Sequence, residues 1–133
     1  MIVALLGTVM AKPRPLSPHL QIYRPQLTSI MSISHRATGA ALAAGTLFLC
    51  LWLVSLAAGS VWYSMAATVI GHPIGIFILF SYSVALVYHA LNGVRHLTWD
   101  YGIALTIPGV YRSGQIVLLF TVVITTLTWA VWL

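Results

Sequence analysis

Negative charge is almost missing from this sequence: its 133 residues contain one acidic side chain, Asp100, against six Lys and Arg. Charge of either sign is scarce, at 5% of residues, while 60% are hydrophobic, far outside the composition of a soluble globular domain. These figures exclude a disordered chain and identify an integral membrane protein of about one domain. The net charge of +5 does not make it a nucleic-acid binder, because the basic residues are scattered around apolar spans instead of clustering on a soluble face. Cysteine is equally scarce. Cys50 alone excludes an intrachain disulfide, offers no zinc or iron–sulfur spacing, and lies in an apolar run where it reads as packing. Repeats and low-complexity tracts are absent.

What is present arranges itself as three spans. Met1 to Ala11 is apolar but too short to cross a bilayer, and no basic residue precedes it as a secretory signal requires. The stretch that follows holds Lys12, Arg14 and Arg24 with four of the six prolines, so it cannot be one continuous helix. Residues 1–28 are therefore expected to lie along the inner membrane surface, and residues 29–133 to form an all-α, three-helix transmembrane domain. The spans are expected over about 29–58, 73–97 and 115–133, each long enough for a hydrocarbon core of about 30 Å. Between the first two, residues 59–71 carry Trp62 and Tyr63 but no charge, which predicts a short exposed turn with an interfacial aromatic anchor. After Asp100, Pro108 and two glycines before Ser113 predict a clean break. Lys12, Arg14, Arg24 and Arg36 precede or open the first span, and Arg95 and Arg112 flank the second connection. All the basic residues then fall on one side, which puts the N-terminus in the cytoplasm, or the matrix of a mitochondrion, and the C-terminus outside.

The segment YHALNGVRHLTWD, Tyr88 to Asp100, concentrates polar groups at the end of the second span. His89, Gly93 and His96 fall at i, i+4 and i+7 on one helix face, and the glycine leaves room for a bulky flat group to approach the backbone. His89 lies about eight residues inside the span, or about 12 Å deep. A neutral imidazole there is a natural axial ligand for haem iron, and the alternative is a histidine bonded to a helix carbonyl. His72 is roughly 25 Å away along the same helix, while His19, His35 and His96 lie near or outside the inner surface. If haem is bound, its second axial ligand is expected to come from another chain. Ser32, His35 and Arg36 form another polar face, at i, i+3 and i+4 of the first helix. Arg36 alone reads as a residue snorkelling to lipid headgroups. With Ser32 it could also hydrogen-bond a quinone carbonyl, and the His35 imidazole beside them could pass protons. Arg95 and His96 read either as snorkelling residues or as donors to haem propionates. Asp100 reads as a charge partner for one of these cations or as a point of proton entry.

Three blocks carry a resemblance. RPLSPHLQIYR at Arg14 to Arg24, SIMSISHRATG at Ser29 to Gly39 and HALNGVRHLTWD at His89 to Asp100 resemble the motifs of the cytochrome b membrane-anchor subunits of succinate dehydrogenase, respiratory complex II. The second block follows that family's S-x-x-H-R-x-[ST]-G pattern and the third its H-x-x-x-G-x-R-H-x-x-x-D pattern; Ser34 departs by standing where the pattern usually has an apolar residue. The resemblance implies one haem b, with His89 as one iron ligand and a second anchor subunit supplying the other. It also implies that Ser32 and Arg36 line a ubiquinone site beside the iron–sulfur subunit, that His35 lies near quinone and propionates, and that a flavoprotein subunit completes the complex. The PLSPH form, in a chain without an Arg- and Ser-rich presequence, points to a bacterial inner membrane in preference to a mitochondrion. Two further readings stay open here: a small proton-relay transporter or channel component, against which stands the single deep ionisable residue, and a haem-free structural anchor.

Overall fold

A computed structural model describes residues 22–131; the greater part of the expected 1–28 surface segment, with Lys12, Arg14 and His19, lies outside them. Four helices follow one another: α1 (Leu27–Ala57), α2 (Ser60–Gly71), α3 (Pro73–Asp100) and α4 (Ile107–Ala130). α1, α3 and α4 are each long and apolar enough to cross a membrane. Their 31, 28 and 24 residues give lengths of about 46, 42 and 36 Å, so each outreaches the hydrocarbon core. The protein is an all-α membrane bundle.

Two connections differ from expectation. Residues 60–71 form a helix in place of a turn, because nothing between Ser60 and Ile70 breaks one; the breakers stand at its two ends. Gly59 turns the corner out of α1 at φ 106°, a conformation closed to L side chains. At the other end His72 is held extended by the proline after it, and its Nδ1 accepts the Ile74 N–H at 3.3 Å, capping α3 with Pro73 in the first turn. His72 is thus the N-cap of α3. The second departure is at Pro108, read as a breaker. It occupies the first turn of α4, where its missing N–H costs nothing, and Thr106 Oγ1 accepts the Gly109 N–H at 3.3 Å. α4 therefore starts eight residues before the expected span, and the connection shrinks to residues 101–106.

α3 is the central helix, packed against α1 on one side and α4 on the other. Three side chains of α3 hydrogen-bond backbone carbonyls of α1. Tyr88 Oη donates to Met31 O at 2.8 Å, His89 Nδ1 meets His35 O at 3.0 Å, and Tyr82 Oη donates to Leu42 O at 3.3 Å. Residues 31, 35 and 42 lie on one helix face, so a single face of α1 is read through its backbone. Two glycines on that helix make the approach close: a Cβ on Gly45 would overlap the Tyr82 ring, and one on Gly39 would stand 2.9 Å from His89 Cε1. Gly114 does the same for α4, since a Cβ there would meet Met31 Sδ at 2.8 Å. The small core sits where the three long helices converge, at Met31, Tyr88 and Val117 with Leu27 and Leu91 around them. At the opposite end Trp129 Nε1 donates to Ser83 Oγ at 2.9 Å, with the Trp129 ring edge-on to Phe80. Large apolar side chains such as Leu47, Phe48 and Phe77 remain exposed along the helices, as lipid or partner helices require.

Candidate functional site

The converging end of the bundle gathers the polar residues. His35 on α1 and His89 on α3 stack nearly parallel, ring centroids 4.0 Å apart and planes 8° from parallel. His96, two turns further along α3, lies 5.1 Å from His35 at 45°, and Trp99 meets His96 edge-on at 5.0 Å. The result is a row of three imidazoles running from inside the bundle toward the end of α3. Gly39 permits the His89 approach, and Gly93 leaves the opposite gap, where a Cβ would come only within 3.9 Å of His35.

The protonation pattern of His89 follows from its partners. A carbonyl oxygen only accepts, so the 3.0 Å contact with His35 O requires the proton on Nδ1. Thr38 Oγ1 lies 3.2 Å from the same Nδ1, and its own proton is directed to the Ser34 and His35 carbonyls at 2.7 and 3.0 Å. In the neutral form of the ring Nε2 then carries the lone pair, the form a metal takes, with the backbone orienting the ring behind it. The histidine is thus bonded to a helix carbonyl through Nδ1, as one alternative of the sequence reading has it, and this bond does not occupy Nε2. His35 Nδ1 is buried without a partner among the described residues, a position that a bound acceptor would satisfy.

Ser32 and Arg36 turn to another face of α1. Arg36 NH2 donates to Ser32 Oγ at 3.1 Å, and both line an open groove of about 360 Å³ with Thr28, Ser29 and Ile33. Because Ser32 Oγ accepts from the guanidinium, its own O–H is free to donate into the groove. This hydroxyl and cation pair offers two donors to one oxygen acceptor.

Arg95 does not snorkel. It is 4% exposed, and its guanidinium donates to Ser113 Oγ at 2.9 Å, Val110 O at 3.0 Å and Asn92 Oδ1 at 3.2 Å while lying 4.0 Å over the Trp99 ring. Asp100 is not among its partners and stands exposed at the end of α3. Arg95 thus ties α3 to α4 through neutral acceptors. Sequence reasoning missed the residues that make this possible, above all Asn92, which is completely buried, and Ser113. Asn92 does stand at i−3 from Arg95 and i−4 from His96, the spacing at which it touches both.

Comparison with known proteins bears on the same segments. A family model described as succinate dehydrogenase/fumarate reductase transmembrane subunit matches residues 10–128. The succinate dehydrogenase cytochrome b556 subunit of Paracoccus denitrificans is 42% identical over 115 residues, covering 86% of this chain and 88% of that protein. The cytochrome b560 subunit of Reclinomonas americana is 40% identical over 123 residues, 89% of this chain and 85% of its own. That of Marchantia polymorpha is 46% identical over 110 residues, 79% and 80% of the two chains. With three long helices in this order and similarity along most of its length, the chain belongs to the succinate dehydrogenase/fumarate reductase transmembrane subunit family, as a membrane anchor of an enzyme complex and not an enzyme in its own right.

Proposed function

We propose that this chain anchors a succinate:quinone oxidoreductase in the membrane, shares one haem b with a second anchor subunit, and helps form the site at which ubiquinone is reduced. The observation that supports the reading is the His89 contact with the His35 carbonyl, which engages Nδ1 and would leave Nε2 for a metal. The names of the relatives, cytochrome b subunits of succinate dehydrogenase, support the haem and the reaction. His89 would hold the iron together with a ligand from the partner anchor; His35 and His96 would face the propionate or quinone oxygens. When bound, the haem supplies one-electron redox chemistry beside the quinone.

The remaining tasks belong to side chains of this chain. Arg36 holds Ser32 as an acceptor, which leaves the Ser32 hydroxyl proton and the other guanidinium protons for a quinone carbonyl oxygen. Those donors stabilise negative charge as two electrons arrive from the iron–sulfur subunit. Two protons must follow to give the quinol, and His35 and Asp100 are the groups to which this reading gives that task. Arg24, Arg36, Arg95 and Arg112 all lie at the converging end, as expected of the cytoplasmic side of a bacterial inner membrane, where the flavoprotein and iron–sulfur subunits dock.

A reduced-minus-oxidised absorption spectrum of the purified complex tests the reading. A b-type α band is expected on adding dithionite, and a complex without one would lose the haem assignment. For the groove, Ser32→Ala and Arg36→Ala are each expected to raise the KM for ubiquinone about tenfold, one charge-assisted hydrogen bond at about 1.4 kcal/mol per decade. Unchanged quinone kinetics in both variants would move the site elsewhere.

A further inference from the structure

Asn92 is 0% exposed, and both ends of its amide are engaged. One end faces Arg95 NH1 at 3.2 Å and the other faces His96 Nε2 at 3.4 Å. A guanidinium only donates, so the Asn92 atom facing it must be the carbonyl oxygen, and the amide nitrogen must face His96. That nitrogen only donates in turn, so His96 Nε2 accepts and the ring proton stands on Nδ1. The direction of every bond in the chain Arg95, Asn92, His96 is set by the one group that cannot reverse, and Arg95 is itself locked by Ser113 and Val110.

We propose that Asn92 is a positioning residue for His96: with Arg95 behind it, it fixes the neutral Nδ1–H tautomer and so makes His96 a hydrogen-bond donor at the redox site. The two cationic candidates of this segment then divide their work. His96 meets the bound group, and Arg95 acts through Asn92 without touching it. The acceptor it serves is an oxygen, either a haem propionate or a quinone carbonyl; this last step rests on the function proposed above, whereas the tautomer does not.

Asn92→Asp separates a positioning role from a structural one. Aspartate has nearly the same shape and still accepts from Arg95, so the α3–α4 tie survives, but it presents an acceptor to His96 and calls the proton onto Nε2. Solid-state NMR of the intact complex carrying ¹⁵N,¹³C-histidine reads this directly, the His96 signals being those that vanish in His96→Gln. The expected result is an unprotonated Nε2 in the wild type and a protonated Nε2 in Asn92→Asp. A protonated Nε2 in the wild type, or one left unprotonated in Asn92→Asp, overturns the proposal. In the same variant a shifted haem midpoint potential identifies the propionate as acceptor, and a raised quinone KM identifies the quinone. If neither moves, the donor role of His96 is refuted. Loss of the haem function while the tautomer switches as expected would instead count against the function proposed above.

Discussion

His89→Ala is expected to abolish the dithionite-reducible b-type band of the assembled complex. The variant removes the Nε2 lone pair; of the neighbouring imidazoles, His35 comes from α1, displaced 4.0 Å from the lost ring, and His96 is held by Asn92 two turns away. It also removes the donor to the His35 carbonyl and leaves a void against Gly39, whose missing Cβ exists to accommodate that ring. Deleting this half-buried ring also destabilises the packing of α3 on α1, so spectra are to be compared per assembled complex, quantified by its flavin. His35→Ala is the control. It deletes the stacking partner but keeps the carbonyl and the ligand, so its complex should retain the band with altered position or potential. A full band in His89→Ala would show that the iron is held elsewhere.

Arg95→Ala should have the largest effect on stability. Arginine at 4% exposure in a membrane helix is normally avoided, and this one is tolerated because three acceptors and the Trp99 face surround it. Alanine leaves Asn92 Oδ1 buried without its donor, while Ser113 Oγ keeps its bond to Val110 O at 3.1 Å and the α4 backbone keeps its helix. One orphaned amide at about 1–3 kcal/mol, plus the cavity, amounts to roughly 3–5 kcal/mol. The check is the temperature at which the purified complex loses its quinone reductase activity, which should fall well below that of the wild type. Arg95→Lys should rescue little, because an ammonium cannot span Asn92, Ser113 and Val110 at once or lie flat on Trp99.

The fold and the candidate site were legible to different depths. Hydropathy located the three spans because a membrane demands about twenty apolar residues in a row and little else produces them. Glycine and proline misled wherever position within a helix decides their meaning. Pro108 ends nothing because it stands in a first turn, and residues 60–71 were read by their aromatic content although they contain no breaker. At the site, spacing on one helix put His89 with His96 and Ser32 with Arg36. It could not show that His35 on α1 stacks against His89 on α3, since that depends on how the two helices are rotated and on the absent side chain of Gly39. Arg95 was misread for a related reason. A cation near a helix end is ambiguous until its neighbours are known, and the acceptors that bury this one lie partly on α4.

The His35 backbone links the two halves of the site. Its carbonyl accepts from His89 Nδ1, and one turn earlier the same helix presents Ser32, with Arg36 next in sequence, to the groove. The groove pair and the carbonyl that orients the His89 ring therefore share one turn of α1, so a ligand in the groove that displaced this turn would also displace the His89 hydrogen bond. With a haem held at His89 as proposed, thermodynamic reciprocity would require that any factor separating groove affinity between its oxidised and reduced states reappear, converted to millivolts, as a displacement of the midpoint potential on binding.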